Sequence, residues 1–178
     1  MAADRPCDVN ASSVSAVYGG VGSPLATKLP DPQAIVHTLQ DLFGKGIEWK
    51  KGAPPPASTK LFVATYVDDK GDVAAVCLCD IALAATSGAA LVLIPAGAAA
   101  DATRRGVLDP EMLDNFREVL NILASTFSHM HVRFGAITAP GEVVAATVKS
   151  IISKPSARLD IEVGITGYAR GRLSVLAR

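Results

Sequence analysis

The sequence lacks several features that would assign it to a class at once. Lys and Arg together number 17, as do Asp and Glu, so the net charge is zero and no basic excess is available to bind a nucleic acid. Three cysteines in 178 residues are too few for a disulfide framework. Aromatic residues make up only 5% of the chain, although apolar residues make up 49%. This composition predicts a core packed tightly from small side chains and no nucleic-acid partner.

A strongly hydrophobic span is also missing. Residues 81–100 carry no charge, but most of them are Ala, Gly, Ser or Thr, and Pro95 interrupts them. Ala and Gly contribute little to membrane insertion, and the segment is flanked by Asp80 and Asp101 instead of Lys or Arg. The first ten residues lack the apolar stretch of a signal peptide. We therefore expect 81–100 to be buried in a cytoplasmic protein that does not enter the membrane.

Local signals place most of the secondary structure. A helix is predicted from Asp31, a capping residue followed by Pro32, to the glycines at 44 and 46. The three prolines in 50–58 predict an extended connector. The other predicted elements are a hairpin over 60–67 and 72–79, helices over 95–105, 109–127 and 140–154, a strand over 131–138, and two strands within 158–177.

Residues 80–94 have two interpretations, because their apolar residues follow no clear period. They form either a short helix capped by Asp80 and followed by a strand at 89–94, or one longer helix that ends before Pro95. In both cases strand pairs alternate with helices. This order predicts an α+β fold in which helices pack on an antiparallel-rich sheet. We expect one domain over 29–178, preceded by a poorly ordered arm over 1–28.

Metal binding is one chemical possibility. Cys77 and Cys79 alternate on a predicted strand, so they share one face, and His129 and His131 have the same spacing. Four such side chains suit zinc, but the spacing is not that of paired CxxC motifs. We expect buried cysteines and helix-end histidines, and no metal site.

The helix predicted over 109–127 has the clearest pattern. At about 100° per residue, its large apolar residues cluster within roughly a third of the circumference. Asp114, Glu118, Asn121 and Ser125 form a narrow row nearly opposite them. A polar face is normal for an amphipathic helix, but Asn is a poor choice for a helix interior compared with Lys, Glu or Gln. This row is the candidate functional surface.

The spacing Asp114-x-x-x-Glu118-x-x-Asn121 resembles the signature of the CheC/CheX family of chemotaxis phosphatases, with a single such helix as in CheX-like domains. The order of elements over roughly 60–178 is similar to that family as well. The resemblance implies a domain that docks on a phosphorylated response-regulator receiver and promotes hydrolysis of its aspartyl phosphate. It implies that Glu118 and Asn121 are catalytic and that Asp114 and Ser125 contribute to binding.

The resemblance also implies no cofactor of the chain's own, since the receiver supplies Mg²⁺. A second interpretation is a non-catalytic interaction or dimerisation module of the same fold class, because flagellar switch proteins related to the family are scaffolds. Pro140 lies four residues before Val144, the position at which the family pattern has its proline. A homodimer is expected in particular if the chain is such a non-catalytic interaction module. A third interpretation is a small-ligand domain in which the Ala/Gly-rich segment lines an apolar pocket.

Overall fold

The computed structural model describes residues 29–178. The predicted arm, residues 1–28, lies outside this range. The helices are α1 (Pro32–Phe43), α2 (Ile81–Leu91), α3 (Ala96–Arg105), α4 (Pro110–Leu123), which continues as a 3₁₀ turn (Ala124–Phe127), and α5 (Ala146–Ser153). The strands are β1 (Ile47–Lys51), β2 (Leu61–Val67), β3 (Val73–Asp80), β4 (Arg133–Thr138), β5 (Ala157–Ile165) and β6 (Arg170–Ala177).

All six strands join one sheet in the order β1-β5-β6-β3-β2-β4, and every neighbouring pair is antiparallel. The strands β1 and β4 form the two edges. The predicted α+β fold with an antiparallel sheet is therefore confirmed.

Helices cover the two faces of the sheet unequally. The inner face, which includes Tyr66, Cys77 and Val175, packs with α1, α2 and α4 into the main core. The outer face carries a smaller cluster, in which Val148 and Ile151 of α5 cover a patch of β2, β3 and β6. Because the residues of a strand alternate between faces, this division follows from the near-continuous apolar sequence of β3. The main core places α4 on the inner face, with one side of the helix left for solvent.

Two glycines let α2 pack unusually close to its neighbours. A Cβ at Gly88 would overlap the backbone carbonyl oxygen of Met112 in α4, and a Cβ at Gly171 of β6 would overlap the backbone of Leu83. Both positions therefore require the absence of a side chain. The crossing at Gly88 sets the distance between α2 and α4, and so the height of α4 above the sheet.

Most predicted elements are confirmed, with three corrections. No strand was predicted at 47–51, yet Ile47–Lys51 pairs with β5 in full register. The predicted helix over 140–154 begins only at Ala146, because 139–145 form a loop in which Glu142 accepts a hydrogen bond from the backbone of Ala139. Asp109 occupies the N-cap position of α4 but makes no capping hydrogen bond.

The ambiguity at 80–94 is resolved in favour of a helix. The carboxylate of Asp80 accepts a hydrogen bond of 2.8 Å from the backbone N–H of Leu83, and α2 ends at Leu91, before Pro95. Nearly every residue of α2 is buried, but the expected burial of 81–100 does not hold beyond it, because Val92 and Leu93 lie exposed in the turn before α3. Across residues 29–178, no helix combines the length and apolar character needed to span a bilayer.

Candidate functional site

The first residues of α4 determine where the helix begins, and its apolar stripe determines which side faces the core. Pro110 occupies the first turn, where its missing N–H leaves no helical hydrogen bond unmade. The negative charge of Glu111 in the same turn interacts favourably with the positive end of the helix dipole. Asp109 instead pairs with Arg105, with 3.2 Å between the guanidinium and the carboxylate. The buried stripe consists of Met112, Phe116, Val119, Leu120 and Leu123.

The four predicted site residues all lie on the exposed side of this helix. The carboxylate of Asp114 pairs with Arg117 at 2.7 Å, and the hydroxyl of Ser125 donates to the carbonyl of Ile122 at 2.8 Å. Within the described residues, the side chains of Glu118 and Asn121 make no hydrogen bond and no ion pair. These two groups are therefore available to a partner, whereas Asp114 and Ser125 already have internal partners.

The end of α4 is held from the sheet. At Ala124 the helix tightens, and the N–H of Ala124 is shared between the carbonyls of Asn121, in a 3₁₀ pattern, and Ile122. The carbonyl of Leu120, which an α-helical bond from Ala124 would otherwise satisfy, accepts a 2.8 Å hydrogen bond from the hydroxyl of Tyr66. The junction between the two helical geometries lies between Leu123 and Ala124, so Asn121 lies in the last turn of α4 and its carbonyl accepts the first bond of the 3₁₀ turn.

Aromatic contacts keep Tyr66 in place. Its side chain is completely buried, its ring stacks on Phe127 with 4.6 Å between centroids, and Phe134 meets it edge-on at 6.1 Å. Burial raises the pKa of its hydroxyl, so Tyr66 stays a neutral donor. Sequence reasoning missed this residue, because 54 positions separate it from Leu120 and no local pattern joins them.

The cysteine and histidine pairs differ in exposure. Cys77 and Cys79 are buried in the main core, whereas His129 and His131 are exposed. Burial raises the pKa of Cys77 to about 12 and that of Cys79 well above its usual value, so both remain thiols at neutral pH. Among residues 29–178, no three His, Cys, Asp or Glu side chains are grouped as metal ligands. The geometry gives the zinc alternative no support.

The inner core leaves no room for a small ligand. The space between α1, α2, α4 and the sheet has a volume of about 10 Å³ and is lined by side chains such as Phe43, Leu83 and Phe116. That volume barely admits one water molecule. The small-ligand interpretation therefore has no cavity here to support it.

Charged residues form a ladder on the part of the outer face that α5 leaves open. Glu162 of β5 lies 2.9 Å from Lys50 and 3.7 Å from Arg172, and these cations lower its pKa, with Lys50 the larger influence. Asp80 behaves in the opposite way. Burial raises the pKa of Asp80, although the N–H of Leu83 and Arg172 partly offset it.

Comparison with known proteins identifies the class of fold. No family model matches the chain, and no curated protein matches it. A chain of the FliM–SpeE complex from H. pylori is similar, with a TM-score of 0.56 and 11% identity over 82% of this chain and 80% of that chain. The FliM middle domain from H. pylori is similar with a TM-score of 0.51 and 14% identity, over 82% and 83% of the two chains.

The chemotaxis protein CheX from Desulfovibrio desulfuricans also matches, at a TM-score of 0.45 and 13% identity over 82% of this chain and 95% of that one. The two matches with TM-scores above 0.5, a chain of the FliM–SpeE complex and the FliM middle domain, show a shared fold. At such low identities the likeness does not extend to activity.

Proposed function

We propose that this chain docks on the phosphorylated receiver domain of a response regulator and promotes hydrolysis of the receiver's aspartyl phosphate. The observation that supports the proposal is the exposure of Glu118 and Asn121 on one side of α4, where neither side chain has a partner within residues 29–178. A carboxylate and an amide that are not used by the fold are the groups that such a mechanism needs.

The helix presents these two groups in a defined spacing. Glu118 and Asn121 are separated by three residues, which places them about 4.5 Å apart along the helix axis and about 60° apart around it. Side chains on this exposed face of α4 can enter an open pocket on a partner. The phosphoryl group and its pocket would lie on the partner, so this chain needs no cleft of its own.

The chemistry assigned to Asn121 is positioning. Its side-chain amide orients a water molecule in line with the phosphorus atom. The water oxygen forms a bond to phosphorus, the bond from phosphorus to the aspartyl oxygen breaks, and phosphate leaves while the receiver regains its carboxylate. The receiver would hold Mg²⁺, which would supply charge neutralisation at the phosphoryl group, and this chain supplies no metal ligand in the mechanism.

Glu118 is proposed to fix the docking register. Its carboxylate pairs with a lysine in the receiver pocket through a charge-assisted hydrogen bond. Asp114 and Ser125 are lesser contacts. Because an exposed ion pair contributes only about 0–1 kcal/mol, the pair between Asp114 and Arg117 opens readily when a partner competes for either side chain.

The test is phosphate release from receiver domains phosphorylated with acetyl phosphate, measured with and without this chain. Wild-type chain is expected to accelerate release. The Asn121→Ala variant is expected to lose that stimulation, with a rate loss on the order of 10²-fold. Its affinity for the receiver, measured by calorimetry, is expected to stay close to that of the wild type.

A matched control is Gln40→Ala, which removes an exposed amide from α1 instead of α4. It should release phosphate at the wild-type rate. Unchanged stimulation by Asn121→Ala would overturn the catalytic role, and absence of receiver binding by the wild type would overturn the docking itself.

A second candidate function is a non-catalytic interaction module that forms a homodimer. It is favoured by the two structural matches with TM-scores above 0.5, which are a chain of the FliM–SpeE complex and the FliM middle domain. It is also favoured by the displaced proline, since Pro140 and Val144 both lie in the loop between β4 and α5. In this case the polar row of α4 only faces solvent.

Light scattering combined with a receiver pull-down separates the two functions. A stable dimer that retains no phosphorylated receiver supports the module, whereas retention that depends on phosphorylation supports docking. The Glu118→Gln variant adds a further check, because it should weaken retention only if α4 forms the docking surface.

A further inference from the structure

We infer that Tyr66 is the positioning residue for Asn121, acting through the carbonyl of Leu120. The inference rests on the proposed function and adds to it a residue on the sheet. Tyr66 touches neither the receiver nor the water, because its side chain is completely buried. Its influence passes through the backbone of α4 to the amide that orients the water.

The carbonyl of Leu120 could accept a hydrogen bond from either of two donors, the N–H of Ala124 or the hydroxyl of Tyr66. In a regular α-helix the N–H of Ala124 would bond to the carbonyl of Leu120. Here that N–H bonds to the carbonyls of Asn121 and Ile122, and the hydroxyl of Tyr66 takes its place on Leu120 at 2.8 Å. The hydroxyl therefore stabilises the 3₁₀ turn relative to a continued α-helix, and Asn121 accepts the backbone bond with which that turn begins.

The ring of Tyr66 also restricts the motion of the 3₁₀ turn. Phe127, the last residue of the 3₁₀ turn, stacks on the ring of Tyr66 at 4.6 Å. The strand β2 consequently holds both sides of the junction through one side chain: the carbonyl before Asn121 and the ring that closes the turn after it. These two contacts restrict the motion of the end of α4 and of the 3₁₀ turn before any partner binds.

The Tyr66 hydroxyl should affect catalysis by Asn121 more than docking through Glu118. The Leu120 carbonyl that Tyr66 holds belongs to the peptide group that links Leu120 to Asn121, whereas Glu118 lies two residues earlier in α4. Loss of the Tyr66 hydroxyl should leave Glu118 in place while it displaces the backbone of Asn121. Because positioning catalysis is sensitive to shifts of about 1 Å, we expect a rate effect without a matching effect on affinity.

The experiment compares Tyr66→Phe with wild type in single-turnover phosphate release at saturating chain, alongside the dissociation constant for the receiver. We expect the saturated rate to fall about tenfold while the dissociation constant changes by less than about twofold. Val163→Ala serves as the control for lost stability, because Val163 is equally buried but lies three strands away on β5.

A rate for Tyr66→Phe that equals that of Val163→Ala would overturn the inference and leave the proposed function intact. If Asn121→Ala is also as active as wild type, the proposed function fails instead, and the inference fails with it. Should Tyr66→Phe not fold, Phe127→Leu removes the stacked ring and keeps the hydroxyl. The same fall in rate without loss of affinity is expected of it, and a wild-type rate would count against the positioning role.

Discussion

Replacing Gly88 by alanine tests how the fold sets the position of α4. In an ordinary helix the change stabilises, because alanine has a better helix propensity than glycine by about 1 kcal/mol. Gly88 is exceptional, since its Cβ would overlap the carbonyl oxygen of Met112 and lie 3.1 Å from the Met112 Cγ. The gain in helix propensity and the steric overlap therefore act in opposite directions, and their balance decides whether Gly88→Ala stabilises or destabilises the protein.

The steric effect should be larger. The first obstacle is backbone and cannot rotate away, so α2 and α4 must separate by roughly 1 Å to restore a normal C···O contact. Overpacking of this kind costs about 1–3 kcal/mol. After the gain in propensity is subtracted, we expect a net loss of stability of up to about 2 kcal/mol. For a chain of this size that corresponds to a fall in Tm of up to about 8 °C.

The assay is urea denaturation followed by circular dichroism, with calorimetry for Tm. Gly97→Ala is the matched control, because Gly97 lies in the exposed first turn of α3 and a Cβ there meets nothing within 4 Å. That variant should be neutral or stabilised by up to about 1 kcal/mol. Stabilisation by Gly88→Ala of the same size as by Gly97→Ala would refute the close crossing of α2 and α4.

Two further predictions concern buried ionisable groups. Because the pKa of Asp80 is raised in the fold, the folded protein binds its proton more tightly than the unfolded chain, and ionisation of Asp80 reduces stability as pH rises above about 4. Asp80→Asn keeps an acceptor for the N–H of Leu83, so it should raise the Tm at pH 7 and lose that advantage near pH 3; a lower Tm at pH 7 would contradict this. In a Cys7→Ser background, Cys77 and Cys79 should resist iodoacetamide at pH 8 until the protein is unfolded, since the pKa of Cys77 is about 12; mass spectrometry showing rapid labelling of the folded protein would refute their burial.

Local chemistry was sufficient to predict the elements with strong end signals. Asp31 and Pro32 start α1, with the Asp31 carboxylate accepting from the N–H of Gln33, and Gly44 ends it in a left-handed conformation. Periodicity also predicted which side of α4 is exposed. Each of these features depends on residues within a few positions of one another, which a sequence displays directly.

Features that depend on distant partners were not predicted. The strand β1 is short and mostly charged, and only its pairing with β5 more than 100 residues later makes it a strand. The helix α2 is buried nearly all round, so its sequence had no polar face to reveal a period. The hydrogen bond from Tyr66 to Leu120 joins a strand to a helix, and the pairing of Asp109 with Arg105 replaced an expected cap.

The candidate site divides in the same way. Its exposure followed from helix geometry, whereas the internal partners of Asp114 and Ser125 emerged only from the folded chain. The catalytic roles of Glu118 and Asn121 stay predictions.

The most direct measurement of the central claim is the single-turnover rate of phosphate release from a phosphorylated receiver at saturating wild-type or Asn121→Ala chain. The wild type is expected to accelerate release, and Asn121→Ala, although bound, is expected to fall to the rate of the receiver alone. Equal rates for the two bound proteins would contradict it.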